Sequence, residues 1–211
     1  MNLEKIVSEI QSVPRKKPIV AASWLSKPLV GESQCLVEYY VQVRHKIPSN
    51  GEFISYQMQH QKFLRERKQL WEAKGYNTSI EKQNTISFTT KKTIDFIGTP
   101  DLYVKQLNHI EELKTGKPKD SDVVQLMLYM AAAPYVYGLQ EIPSGEVCYR
   151  GGSSTTVFPE EITQEFKDQV TELIGILVAD QVPKPVPSES DCRFCKLNQC
   201  CPVSVIGDDV A

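Results

Sequence analysis

Residues 94–129 read IDFIGTPDLYVKQLNHIEELKTGKPKDSDVVQLMLY. Two apolar, strand-like runs predict two strands, and each brings an acidic residue to or near one end: Asp101 and Glu112. Because side chains at positions i and i+2 of a strand point to the same face, Lys114 is predicted to lie beside Glu112. The stretch therefore predicts that two carboxylates and one ammonium group converge at one place.

This set of side chains suits one kind of chemistry. Carboxylate oxygens are preferred ligands of Mg²⁺, and a cation bound there would assist the attack of water on a phosphodiester. Each piece alone has a plainer explanation, because a turn aspartate often bonds to its own backbone and Glu-X-Lys is common on strands. The order of strand, Gly98-X-Pro-Asp101, second strand and Glu-X-Lys favours the catalytic interpretation.

Composition is typical of a globular protein. The 211 residues are 41% hydrophobic and 24% charged, which predicts one domain with a sizeable core. No apolar run approaches the roughly 18 residues that span a bilayer, and the N-terminus reads as an amphipathic helix, so we expect a cytoplasmic location. With a net charge of −2, a DNA-binding surface must rest on local basic clusters. Candidate clusters lie at residues 15–17, 44–46, 62–68, 91–92 and 114–119.

The hydrophobic pattern predicts helices and strands in an alternating order. Helices are predicted at residues 1–11, 23–44, 52–74, 120–137 and 159–180, and strands within residues 78–90, 93–97, 102–107, 109–113 and 145–157. This order predicts an α/β fold with a mixed central sheet flanked by helices on both sides.

One face of the helix predicted at residues 52–74 is marked by residues spaced three, four or seven apart. Its members are Phe53, Gln57, His60, Leu64 and Trp71. His60 is therefore predicted to point toward the interior of the protein.

Four of the six cysteines fall within ten residues near the C-terminus: Cys192, Cys195, Cys200 and Cys201. This clustering favours ligation of a metal or a metal cluster over a disulfide framework. Four thiolates suit either zinc or an iron–sulfur cluster, and the spacing alone leaves both open. Cys148, inside a predicted strand, is expected to be a small buried hydrophobe.

The motifs resemble the PD-(D/E)XK nuclease superfamily, specifically its RecB-like branch, over nearly the whole chain. In that branch an Asp and a Glu hold Mg²⁺ or Mn²⁺, a Lys orients or activates water, and a following Gln-X-X-X-Tyr helix faces the DNA. The resemblance implies a catalytic set of Asp101, Glu112, Lys114, Gln125 and Tyr129.

The same resemblance implies the ligands of the catalytic metal. They are His60, on the helix before the strands, with Asp101, Glu112 and the backbone carbonyl of Leu113. Glu111 points to the opposite face of its strand from Glu112 and is predicted to be structural.

The cysteine spacing is similar to that of the iron–sulfur subset of this branch, which includes the CRISPR-associated exonucleases, the exonuclease V type and AddB-type nucleases. It implies a [4Fe–4S] cluster held by Cys35, Cys192, Cys195 and Cys201, which would join the N- and C-terminal regions. Zinc is the alternative. Cys200 leaves the fourth ligand ambiguous, although the spacing of five residues after Cys195 favours Cys201.

Together these resemblances imply one nuclease domain over residues 1–211. It would comprise a helical part at 1–50 that carries Cys35, a nuclease core at 51–180, an iron–sulfur segment at 181–202 and a tail at 203–211. The expected function is that of a metal-dependent DNA exonuclease acting on single strands or DNA ends, in CRISPR spacer acquisition or in DNA repair and recombination. CRISPR adaptation or repair proteins are the expected partners, with no membrane.

Two other functions agree with parts of the same pattern. A non-catalytic DNA-binding or assembly subunit could keep the same fold, but such a module has no need for the intact set of Asp101, Glu112 and Lys114. A metal-dependent hydrolase of another substrate is disfavoured by a site directed at phosphate.

Overall fold

The computed structural model of the protein describes residues 3–48, 54–90 and 93–206. The helices are α1 (Leu3–Glu9), α2 (Ala22–Leu29), α3 (Val37–Arg44), α4 (Ile54–Ala73), α5 (Asp120–Tyr137), α6 (Gln164–Val178) and α7 (Glu189–Phe194). The strands are β1 (Val13–Pro14), β2 (Ile19–Ala21), β3 (His45–Lys46), β4 (Thr78–Ile80), β5 (Ile86–Thr89), β6 (Asp95–Gly98), β7 (Leu102–Val104), β8 (His109–Lys114), β9 (Ser144–Tyr149) and β10 (Ser154–Val157).

The strands form two main sheets. Five strands pair in the order β10-β9-β8-β7-β4, and three pair in the order β2-β6-β5, while β1 and β3 form a separate short ladder. Both main sheets are mixed, because β8 runs parallel to β9 and β2 runs parallel to β6, whereas the other neighbouring strands pair antiparallel. The predicted mixed α/β architecture flanked by helices is confirmed, but its sheet is divided into two.

The division falls in the middle of the stretch that decides the fold. The chain leaves the three-stranded sheet at the end of β6 and enters the five-stranded sheet at β7. Pro100 lies in this link and cannot donate a ladder hydrogen bond, which ends the pairing of β6. Asp101 therefore lies at the junction of the two sheets, immediately before β7.

The chain also crosses between the two sheets on its way from β4 to β5. The residues predicted as one β region at 78–90 form β4 in one sheet and β5 in the other, with a short 3₁₀ turn between them. The buried amide of Asn84 in that turn donates to the carbonyl oxygens of Ser79, at 2.8 Å, and Pro100, at 3.3 Å. One side chain thus holds both crossings together.

The five-stranded sheet separates two packed layers. On one face, Leu64 of α4 packs with Leu113 of β8 and Cys148 of β9. On the other face, Ile110 of β8 packs with Leu126 and the rest of the apolar side of α5. Cys148 is 4% exposed, as expected of a small buried hydrophobe.

Several local predictions differ from the structure. The helix predicted at 23–44 is two helices, α2 and α3, because residues 30–36 leave the helical path. The helix predicted at 159–180 starts with a 3₁₀ turn, and α6 itself spans Gln164–Val178. Strand β2 and helix α7 were not predicted, since three and six residues are too short to reveal a period. Phe53, the basic pair at 91–92 and residues 207–211 of the tail lie outside the described residues.

Membrane-spanning segments were sought among the described helices. None of them combines the length and the apolar character that crossing a bilayer requires.

We predict that Gly98→Ala destabilises the fold. A Cβ at this position would lie 2.6 Å from Cε1 of Tyr129 and 2.9 Å from its Cδ1, so the buried ring must shift. Overpacking of this kind lowers the free energy of unfolding by about 1–3 kcal/mol, which urea denaturation measures. Gly116→Ala is the matched control, because no atom lies within 4 Å of its Cβ position. Equal stability of the two variants would contradict the packing described here.

Candidate active site

The sheet junction brings Asp101 next to the strand that carries Glu112. The antiparallel register of β7 and β8 pairs Leu102 with Glu111, so Asp101, one residue before β7, lies level with Glu112. The Asp101 carboxylate is fixed at both oxygens: Oδ2 accepts a hydrogen bond from the backbone N–H of Leu113 at 2.7 Å, and Oδ1 lies 3.2 Å from Nε2 of His60. Asp101 and Glu112 are 9% and 4% exposed, so two neighbouring carboxylates are buried together.

His60 reaches this site from α4. Its inward face was predicted from the periodicity of the helix, and the structure places it against Asp101. The hydrogen bond with Asp101 raises the pKa of His60 above its usual value, although burial opposes the shift. The α4 helix thus supplies an imidazole to a site whose carboxylates come from the sheet.

Glu112 begins a network that continues onto α5. Its Oε1 accepts hydrogen bonds from Nζ of Lys114 and from Nε2 of Gln125, both at 2.9 Å. The amide oxygen of Gln125 accepts from Lys114 at 3.0 Å, and its Nε2 also donates to the hydroxyl of Tyr129 at 2.8 Å. The four residues predicted from β8 and α5 therefore form one hydrogen-bonded unit.

The second oxygen of Glu112, Oε2, is buried and has no hydrogen-bond partner among the described residues. Burial, followed by the nearby Asp101 carboxylate, raises the pKa of Glu112 to about 8. A buried oxygen without a donor is costly, and a cation would remove both the missing bond and the repulsion between the carboxylates. The side chains present therefore fit a divalent metal ion.

Lys114 keeps its positive charge in this setting. Burial, the largest single influence, lowers the pKa of its ammonium group, but the carboxylates of Glu112, Asp122 and Asp101 together outweigh burial, and the pKa is raised. Asp122, in the first turn of α5, adds a second carboxylate with Oδ1 3.6 Å from Nζ. Lys114 thus provides a fixed ammonium group beside the carboxylate pair.

A cavity of about 370 Å³ opens onto these groups. His60, Asp101, Glu112, Leu113 and Lys114 line it, together with Gln57, which was predicted on the same helix face as His60. Sequence reasoning missed two further lining residues, Gln61 and Glu81. The backbone N–H of Glu81 donates to the Asp101 carbonyl at 2.9 Å, which places a third carboxylate near the site. Glu81 follows a three-residue strand in a 3₁₀ turn, a position that no sequence pattern marked.

The geometry can be compared with known proteins. A model of the PD-(D/E)XK nuclease superfamily matches residues 10–202. The chain belongs to this superfamily. PD-(D/E)XK proteins are nucleases that use divalent metals, which agrees with a carboxylate pair suited to a cation.

A solved structure titled "Crystal structure of SSO0001" is similar with a TM-score of 0.48 and 14% sequence identity. The similarity covers 97% of this chain and 96% of that one. No curated protein matches the chain in sequence.

A second group of potential ligands lies on the α4 side of the PD-(D/E)XK sheet. The ligand atoms of His109, Glu111 and Glu146 all lie within 4.8 Å of one another. Arg67 of α4 occupies this place: its guanidinium bonds to both oxygens of Glu111, with Nε to Oε2 at 2.9 Å, and reaches Glu146 at 3.4 Å. Trp71 donates to Glu111 Oε1 at 2.8 Å. The carboxylates are already compensated, in keeping with the structural role predicted for Glu111.

The cysteine region lies apart from the carboxylate pair. A cavity of about 480 Å³ is lined by Cys35, Cys192, Cys195 and Cys201, and Cys200 is not among its lining residues. Of the two adjacent cysteines, Cys201 is therefore the one that faces the cavity.

Hydrogen bonds join the two ends of the chain around the cysteine cavity. Asp191 of α7 accepts from the backbone N–H groups of Gln34, at 3.3 Å, and Cys35, at 3.5 Å. Glu38 of α3 accepts from the N–H of Lys196 at 3.2 Å. The N- and C-terminal cysteines are thus held on opposite sides of one cavity by protein contacts.

We predict that Arg67→Met strongly destabilises the protein. Glu111 is fully buried, and removal of the guanidinium leaves its carboxylate uncompensated. Breaking such a pair costs about 3–5 kcal/mol of the free energy of unfolding, measurable by urea denaturation. The double variant Arg67→Met/Glu111→Leu should recover most of the loss. Full stability of Arg67→Met would contradict the assignment of Arg67 as the residue that compensates the Glu111 carboxylate.

Proposed function

We propose that this protein is a metal-dependent DNA exonuclease that hydrolyses phosphodiester bonds of single strands or DNA ends. The observation that carries the proposal is the unpartnered, buried Oε2 of Glu112 beside the Asp101 carboxylate. Membership of the PD-(D/E)XK superfamily supports DNA as the substrate. The restriction to strand ends, and a setting in CRISPR spacer acquisition or DNA repair, rest on the resemblance of the cysteine pattern.

The catalytic cation, Mg²⁺ or Mn²⁺, would be held by His60, Asp101, Glu112 and the carbonyl of Leu113. When bound, it supplies Lewis-acid polarisation of the phosphate and a more acidic water. The protein orients these ligands beforehand. The Leu113 N–H and the His60 imidazole each bond to one oxygen of Asp101, so the carboxylate cannot rotate away.

Lys114 is the residue that positions the attacking water in this proposal. Its ammonium is fixed by Glu112 and Gln125, and its charge offsets the negative charge that develops on the phosphate. Gln125 holds Lys114 and Glu112 at their present separation. The Tyr129 ring is 4% exposed and packs at Gly98, so it is not available to stack on a base; its hydroxyl instead positions Gln125.

We further propose that Cys35, Cys192, Cys195 and Cys201 hold a [4Fe–4S] cluster. The cavity that all four residues line supports this. When bound, such a cluster would supply four irons bridged by sulfide.

We predict that Lys114→Ala abolishes cleavage and leaves metal binding largely intact, because the ammonium contacts the water rather than the cation. The rate on labelled single- and double-stranded DNA with Mn²⁺ or Mg²⁺ should fall at least roughly a hundredfold, while Mn²⁺ binding by calorimetry is retained. Lys105→Ala is the control, since this exposed lysine lies in the turn between β7 and β8, outside the candidate basic clusters.

Two outcomes would count against the catalytic assignment. Full activity of Lys114→Ala would reject the role of the lysine. If the wild-type protein cleaves no type of DNA end, with Mn²⁺ or Mg²⁺ as little as with EDTA, it would instead be a non-catalytic DNA-binding subunit.

We predict that the protein purified without oxygen is brown and has a broad visible absorbance band. Cys201→Ser should lose the band, whereas Cys148→Ser should keep it, because Cys148 is buried in β9 away from the cavity. Cys200→Ser should also keep it. A colourless protein that contains one zinc ion would reject the cluster.

A further inference from the structure

Arg150 lies next to the proposed catalytic lysine but belongs to no motif. It directly follows β9, and its backbone N–H donates to the carbonyl of Lys114 at 2.9 Å. Its side chain is exposed. The register of the parallel strands β8 and β9 pairs Lys114 with Tyr149, so Arg150 is the first residue beyond the sheet at this edge.

The guanidinium of Arg150 extends from the sheet to α4. Its Nη1 donates to the side-chain oxygen of Gln59 at 3.0 Å, and Gln59 directly precedes His60. The arginine therefore connects the two elements that bring Lys114 and His60 to the catalytic cavity. Its charge is placed beside that cavity by a neutral partner.

The charge of Arg150 is not neutralised within the described parts of the chain. A guanidinium has five N–H donors, and Gln59 accepts from one of them. Over residues 3–48, 54–90 and 93–206, no carboxylate lies within ion-pair distance of Arg150. Arg67 and Arg193 differ in this respect, because they pair with the carboxylates of Glu111 and Glu189.

The turn that follows Arg150 leaves room for a phosphate backbone. Gly151 and Gly152 have no atom within 4 Å of where a Cβ would lie, and Gly152 has a φ of +91°, which favours glycine. Residues 153–156 read Ser-Ser-Thr-Thr and are all exposed. The segment therefore combines open glycines and hydroxyl groups without an acidic residue.

We propose that Arg150 binds a phosphodiester of the DNA strand next to the scissile one, and that the strand passes over residues 151–156. This inference rests on the proposed function, because it assigns a substrate contact at the same site. A guanidinium binds phosphate through two parallel N–H donors, which fixes the orientation of the strand as well as its position. In a chain of net charge −2, such a local cation determines where DNA is held.

The first test measures the binding of a labelled single-stranded oligonucleotide by fluorescence anisotropy. The measurement is made with Mn²⁺ on full-length protein that carries Lys114→Ala. Arg150→Ala should raise Kd roughly tenfold, as for the loss of a charge-assisted hydrogen bond. It should also reduce the slope of log Kd against log salt by roughly 0.7, the value for one phosphate on a single strand. Arg150→Lys should give an intermediate Kd, because it keeps the charge and loses the two parallel donors.

The matched control is Arg193→Ala, since Arg193 is exposed and already paired with Glu189 in α7. It should change neither Kd nor the salt slope. In the otherwise wild-type enzyme, Arg150→Ala should raise KM several-fold more than it lowers kcat, while melting temperatures remain equal.

The outcomes separate this inference from the proposed nuclease. If wild-type protein cleaves DNA and Arg150→Ala behaves like Arg193→Ala, the phosphate contact is overturned and the nuclease stands. If wild-type protein cleaves nothing but Arg150→Ala still weakens binding, the contact stands and the proposed hydrolysis fails.

Discussion

The burial of Asp101 and Glu112 side by side is the constraint on which the rest of the site depends. Two carboxylates removed from water repel each other, and burial together with the Asp101 charge raises the pKa of Glu112. The surrounding structure answers this with donors on nearly every oxygen: the Leu113 N–H, the His60 imidazole, the Lys114 ammonium and the Gln125 amide. Among the described residues no donor reaches Glu112 Oε2, so this oxygen remains free to bind a cation.

Strand β8 carries two buried carboxylates, and the surrounding residues compensate them to different extents. Glu111 and Glu112 are adjacent and both buried, yet the alternation of a strand sends them to opposite faces. Glu111 meets a guanidinium and an indole N–H, which satisfy it completely. Glu112 meets an ammonium and an amide, which satisfy one oxygen. The compensated carboxylate of Glu111 stabilises the fold, whereas the carboxylate of Glu112 keeps one oxygen that can bind a cation.

The sequence predicted what is local or periodic, and it missed what depends on the path of the chain between sheets. The faces of β8 and α5 follow from periods of two and of 3.6 residues, so the placement of Glu112, Lys114 and Gln125 was predictable. The division of the sheet was not, because it depends on two crossings between the sheets that are held together by tertiary hydrogen bonds of Asn84. Arg150 and Glu81 were missed for a related reason, since each reaches the site through tertiary contacts of a turn.

The hydrogen bonds that join the chain ends have a consequence for the order of folding. Gln34 and Asp191, which are bonded to each other, are separated by 157 positions. Contacts of such long sequence separation close a large loop, and their entropic cost delays them relative to local helices and hairpins. The cysteine cavity is therefore completed late, when the sheets and their helices have formed. An inorganic cofactor would therefore bind in this cavity after the carboxylate pair has formed.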